Sequence, residues 1–247
     1  MTERKAFLGG KVAWVTGAGR GIGRAVSMAL ARAGATVVVG ARTEAEVAQL
    51  TESLQAEGHR AAGLVLNVAD AASVRRFAEE SVERFGPVSI LVNNAGLGRF
   101  KDFLEMSFED FDLQIDVNLK GTWYMARLAA AQMALQGEGS IINVSSIAGE
   151  HAFKRGSAYC AAKAGVNAMS EVLMMELREL GIRVTTIAPG SVQTGFHREA
   201  LPAANQKDDS WMLQPEDVAE AVLHVLGAPE HALISHYEVR PLLTGKP

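Results

Sequence analysis

A chain of 247 residues, 48% hydrophobic and 21% charged, carries enough apolar side chains for a substantial core. Its formal net charge of −4 provides no basic footprint for nucleic acid, and the single cysteine, Cys160, excludes an internal disulfide framework and a multi-cysteine metal site. No apolar run reaches the roughly 18 residues of a membrane span, and the N-terminus lacks a signal peptide's apolar core, so a soluble, cytoplasmic protein with no membrane partner is expected.

The first predicted strand, residues 11–16, runs straight into Thr16-Gly17-Ala18-Gly19-Arg20-Gly21-Ile22-Gly23 and a helix over 21–33. Glycines there allow a tight strand-to-helix turn and let the backbone approach a pyrophosphate at the helix's positive N-terminus. The spacing Gly17-x-x-x-Gly21-x-Gly23 departs from the common G-x-G-x-x-G pattern; a strand before it and a helix after it favour a dinucleotide site over a mere sharp turn. The second strand, 36–40, ends Val39-Gly40-Ala41-Arg42, with no acid before Glu44. An acid at that point would accept from a ribose 2′-hydroxyl and repel a 2′-phosphate. Arg42 instead can hold a 2′-phosphate through charge-assisted hydrogen bonds, and Arg20 offers a second cation, so the cofactor expected is NADP(H). Two solvated surface arginines are the plainer alternative.

Further along come a helix over 44–57, a strand over 62–67, a helix over 71–85, a strand over 89–93 and a long helix over 108–135. A strand over 140–145, a helix over 157–180 and strands over 182–188 and, more weakly, 232–239 complete the series. Nearly continuous apolar runs such as VAWVT, TVVVG and ILVNN suit parallel strands covered on both faces. The alternation predicts an α/β fold, a doubly wound parallel sheet with helices on both faces, as one domain over residues 1–247.

Tyr159 and Lys163 stand four residues apart near the start of the 157–180 helix, so both project from one face. A phenol has a pKa of about 10 and is a poor base at neutral pH. A cation about 4 Å away would interact by roughly 4 kcal/mol at an effective dielectric near 20, enough to lower that pKa by up to about three units before burial opposes it. The pair can therefore act as an acid/base, although Y-x-x-x-K alone arises often by chance and usually describes a surface pair.

Taken together, TGAGRGIG, NNAG (Asn93 to Gly96), VNLKG, INVSS, YCAAK and PGSVQT (Pro189 to Thr194) resemble the short-chain dehydrogenase/reductase family in order and spacing along nearly the whole chain. The resemblance implies a Rossmann-type sheet of about seven strands and a homo-oligomer, tetramer or dimer, contacting through the 108–135 and 157–180 helices. It implies that Tyr159 exchanges the proton of a small-molecule carbonyl or alcohol substrate. Lys163 would depress the Tyr159 pKa and hold the nicotinamide ribose, Ser146 would polarise the substrate oxygen, and Asn118 would hold a water of a proton relay. Cofactor contacts implied are Gly17, Gly19, Arg20, Gly21, Ile22, Gly23 and Arg42 at the phosphates, and Asn67 and Val68 at the adenine. Asn94, Ala95 and Gly96 would lie at the adenosine ribose, and Pro189, Gly190, Val192 and Thr194 at the nicotinamide.

Toward its C-terminus the chain reads Ile234-Ser235-His236-Tyr237-Glu238-Val239-Arg240-Pro241, without the V-D-G-G segment of many members, including the 3-oxoacyl-carrier-protein reductases. The primary expectation is thus an NADPH-dependent carbonyl reductase; a 3-oxoacyl-carrier-protein reductase and a non-catalytic NADPH-binding regulator are the alternatives. No metal site is expected, since His224, His231 and His236 show no clustering with acids in the sequence. His151 is read as exposed or outside the reacting shell, Cys160 as a helix-packing residue, and residues 195–211 as a lid that Trp211 helps close.

Overall fold

The computed structural model describes residues 6–196, 200 and 209–243. Its strands are β1 (Val12–Thr16), β2 (Thr36–Ala41), β3 (Ala61–Val65), β4 (Ile90–Asn93), β5 (Gly139–Val144), β6 (Ile182–Pro189) and β7 (His236–Val239). All pairs are parallel, in the order β3-β2-β1-β4-β5-β6-β7. The chain winds outward from β1 to β3, then returns to the middle at β4 and winds the other way. The crevice between the carboxyl ends of β1 and β4 is where such a sheet receives ligands.

Strand alternation splits the core in two. Ala13 and Val15 of β1 join Val37 and Val39 of β2 beneath α1 (Gly21–Arg32), α2 (Glu44–Ala56) and α7 (Pro215–Leu226). Trp14, between them, faces the other way and meets Phe77 edge-on at 5.5 Å. That second layer contains α3 (Ala71–Phe85), α5 (Gly121–Gln136) and α6 (Ser157–Leu177). Each fully buried Leu, Ile or Val there contributes about 1.5–3 kcal/mol, so both faces are needed to hold the sheet. Among the described residues no helix is long and apolar enough to cross a membrane.

The predicted helix over 108–135 is not continuous. It divides into α4 (Phe108–Ile115), a π-helical turn over Asp116–Lys120, and α5. The cause is tertiary. Within the π turn the Asn118 carboxamide clasps the Leu97 backbone, accepting from its N–H and donating to its carbonyl, both at 2.9 Å. The 157–180 helix likewise ends at Leu177 and finishes in a 3₁₀ turn over Arg178–Leu180. The weak 232–239 strand shortens to β7. Finally, α7 is a helix the sequence reading did not place, opened by Pro215 and by reciprocal capping between Gln214 and Asp217.

Helix α3 begins at the Asp70 cap, whose carboxylate accepts from Ala72 N at 3.0 Å and Ser73 N at 3.2 Å. Asp70→Ala should lose about 1 kcal/mol and lower Tm by about 2–4 °C in a thermal melt, whereas Asp70→Asn should retain most of the stability. An unchanged Tm for the alanine variant would show that solvent replaces the cap fully.

Candidate active site

A cleft of about 680 Å³ opens over the carboxyl ends of the strands, walled by the segments that follow β1 to β6. At one end lies the glycine loop. Gly17 and Gly21 take positive φ of 62° and 52°, a conformation that favours glycine. Gly17, Gly19, Arg20, Gly21 and Ile22 all line the cleft. Gly23 does not; it sits behind the loop, where a Cβ would run into the Gly17 carbonyl and crowd Asn94 Nδ2 at 2.5 Å. It is there so that α1 can approach the loop. Arg20 caps α1 through its backbone alone, with no side-chain cap and no acid in the first turn. The N-terminal N–H groups of α1 thus face the cleft, a ready anion site.

Arg42, just past β2, lines the same end and is exposed, as is Arg20. Glu46 also lines it, and a Cβ on Gly19 would lie 2.5 Å from Glu46 Oε2. This acid, in the first turn of α2, lies two residues past Glu44, where the reading of the β2 end from the sequence stopped.

Asn94, Ala95 and Gly96 line the cleft beyond β4. Asn94 is also a clip: its Nδ2 donates to the Thr16 and Gly17 carbonyls at 3.0 Å, while Asn94 N and Ala95 N donate to Thr16 Oγ1. Asn67 and Val68 line the wall after β3, and Asn67 Oδ1 accepts from Ala69 N in a local turn. Pro189, Gly190, Val192 and Thr194 form the wall after β6. That wall is braced by Gly190 N donating to Val239 O and by a bridge between Val192 and Leu213.

The acid/base residues meet at the other end. Ser146, at the close of β5, is hydrogen-bonded to Tyr159 near the start of α6. Lys163, one turn on, is buried and donates from Nζ to the Val144 carbonyl at 2.8 Å. Asn118 does not line the cleft, yet a Cβ on Gly96 would lie 3.0 Å from Asn118 Oδ1 and 3.8 Å from Lys163 Nζ. Its side chain is taken by Leu97, and its backbone carbonyl accepts from Thr122 Oγ1.

The electrostatic balance differs from the expectation. Burial pushes the Tyr159 phenol up to about 12, against the opposing Ser146 hydrogen bond, and burial pushes Lys163 down to about 8. Lys163 Nζ stands 5.8 Å from the Tyr159 ring centroid and donates to the Val144 carbonyl. Desolvation is the largest cause for each group. Tyr159 is thereby held as a protonated donor at neutral pH.

Several lining residues carried no signal in the sequence. Phe100, Phe153 and Phe196 come from three separate segments; Phe100 and Phe196 pack on the Tyr159 ring, and Phe153 packs on Phe100. His151 lines the cleft mouth while exposed. His236 is not isolated from acids as expected: β7, paired on β6, brings His236 Nε2 within 3.3 Å of Glu150 Oε1. Glu150, His151 and Glu238 also gather, with ligand atoms within 4.8 Å of one another. Cys160 is half-buried against the Phe100 cluster. Of the expected lid, Gly195 and Phe196 line the cleft, Trp211 does not, and residues 197–199 and 201–208 lie outside the described residues.

The family model described as short chain dehydrogenase matches residues 11–205. A sepiapterin reductase from Chlorobaculum tepidum is 34% identical over 237 residues, covering 92% of this chain and 94% of that protein. A Thermococcus sibiricus alcohol dehydrogenase, crystallised with 5-hydroxy-NADP, superposes with a TM-score of 0.87 at 31% identity, over 96% of this chain and 99% of the other. A metagenomic short-chain oxidoreductase in complex with NADP superposes with a TM-score of 0.83 at 34% identity, over 96% and 99% of the two chains.

Proposed function

Since the chain belongs to the short-chain dehydrogenase/reductase family of oxidoreductases, we propose that it reduces ketones or aldehydes with NADPH, with Tyr159 as proton donor. The observation that carries this reading is the convergence of Tyr159, Ser146 and Lys163 in the cleft whose far end holds the α1 N-terminus, Arg20 and Arg42. These residues fit a dinucleotide: the N–H groups at the α1 N-terminus would hold its pyrophosphate, Arg20 and Arg42 would hold its 2′-phosphate, and the cleft runs from there to Tyr159. When bound, NADPH supplies the hydride. Ser146 orients the substrate oxygen by hydrogen bonding, and Tyr159 Oη delivers the proton to it. Lys163, protonated below about pH 8, keeps positive charge beneath the phenol as the proton leaves. Asn118 ties the loop carrying Gly96 and Leu97 to α5.

The test is NADPH consumption by the purified chain with a panel of small ketones, aldehydes and an acetoacetyl thioester, beside the same panel with NADH. Turnover with NADPH on the simple carbonyls is expected. NADPH binding without turnover of any carbonyl would leave the non-catalytic regulator as the reading.

The sign of the pH dependence follows from Tyr159. Alcohol oxidation needs the ionised phenol, and burial raises its pKa, so kcat/KM for oxidation should climb about tenfold per pH unit above neutrality until the phenol of the complex ionises. Ketone reduction uses the protonated form and should not climb over that range. Parallel pH profiles measured in the two directions would overturn the assignment. The exposed Trp123, Val172 and Met175 on α5 and α6 support association of copies, as dimer or tetramer, to be measured by light scattering.

A further inference from the structure

We infer that the substrate end of the cleft selects carbonyl compounds bearing an aromatic ring, held edge-to-face by Phe100, Phe153 and Phe196. The inference rests on the reductase reading and names its substrate class. The three rings arrive on separate loops, after β4, between β5 and α6, and after β6. Phe100 is the hub. Its centroid lies 5.0 Å from Phe153, 5.5 Å from Tyr159 and 6.1 Å from Phe196, at interplanar angles of 85°, 73° and 64°. Tyr159 meets Phe196 at 5.5 Å. These separations and tilts are those in which one ring's positive edge addresses another's negative face.

The arrangement is anchored. Phe100 N donates to Ala200 O at 3.2 Å, and Lys101 N donates to Arg155 O at 3.1 Å, tying the first loop to the third and to the second. Gly98 makes room: a Cβ there would lie 2.9 Å from Phe196 Cζ and 3.0 Å from Phe100. Burial differs along the set. Phe100 is 8% exposed and belongs to the core, but Phe153 is 42% exposed at the mouth. Phe153 packs on Phe100 at its buried edge and leaves the rest of its ring open on the cleft wall, where a substrate ring can meet it. Ile147 and Ala148 complete the apolar wall, and among the described residues no lysine or arginine besides the buried Lys163 lines this end. A substrate whose oxygen reaches Tyr159 and Ser146 therefore places its nearest substituent among the rings.

The measurement compares phenylacetone with cyclohexylacetone, whose carbonyls are equally unconjugated and whose rings have similar bulk. With NADPH, kcat/KM for phenylacetone should exceed that for cyclohexylacetone by about tenfold, the scale of one to two aromatic pairs. Phe153→Leu and Phe196→Leu should each bring the ratio toward one; Phe153, being exposed, tests the idea without endangering the fold. A ratio near one in the unaltered chain, or a ratio untouched by both substitutions, overturns the inference. Binding of the two ketones to the NADPH complex, followed by cofactor fluorescence, separates the two readings. Preferential binding of phenylacetone without turnover would uphold the aromatic site and sink the reductase assignment, while equal binding with turnover of both would do the reverse.

Discussion

Tyr159→Phe is expected to lower kcat for ketone reduction by about 10²–10⁴-fold, the usual worth of a positioned general acid, with NADPH affinity changed by less than about twofold. The substitution removes one oxygen. The ring keeps its contacts with Phe100 and Phe196, so the aromatic cluster and the start of α6 should stand unaltered. Ser146 loses a partner, but its Oγ still accepts from Ala148 N at 3.1 Å and keeps its position at the end of β5. What disappears is the donor that burial holds protonated at neutral pH. The residual rate should also lose the pH dependence of oxidation, because no phenol remains to ionise. A Tyr159→Phe variant retaining activity within a few-fold of the original, with an intact melting profile, would remove Tyr159 from the mechanism.

How much of this was legible beforehand depends on whether the cause is local. The passage from VAWVT into the glycine loop and α1 is written in contiguous residues, and residues 71–85 emerge as α3 without change. The break inside the 108–135 helix was not legible, because Asp116-Val117-Asn118-Leu119-Lys120 offers no proline or glycine. The π turn exists to bring Asn118 against Leu97, a residue far away in sequence. By contrast, α7 was missed although its signals are local: Pro215 at the first turn and the Gln214/Asp217 caps.

The site divides in the same way. The candidate residues read from the motifs line the cleft, apart from Gly23 and Asn118, which lie behind its wall. The Tyr159–Lys163 electrostatics went the other way, because sequence spacing gives the distance of two side chains but not their desolvation. Both groups are buried in the structure, and burial decides the sign for each. Phe100, Phe153 and Phe196 share no motif or period; only the packing of three segments gathers them, Phe100 and Phe196 on the Tyr159 ring and Phe153 on Phe100.

Arg42→Asp should reverse the coenzyme preference, moving the ratio of kcat/KM with NADPH to that with NADH by about 10²–10³-fold. Two effects add. The variant loses a charge-assisted hydrogen bond to the 2′-phosphate, worth about 1.5–3 kcal/mol, and places a carboxylate where it repels that phosphate and can accept from the 2′-hydroxyl of NADH. Glu46 sharpens the argument. A carboxylate already borders Gly19 at this end of the cleft, so a preference for NADPH requires the arginines to outweigh it. Glu46→Gln should accordingly widen the preference for NADPH by a few-fold, in the opposite sense to Arg42→Asp. Because Arg42 and Arg20 are exposed, both effects should shrink as salt is raised, which steady-state kinetics at two ionic strengths would reveal. If Arg42→Asp still prefers NADPH, the 2′-phosphate rests on Arg20 alone, and the site must be redrawn around the glycine loop.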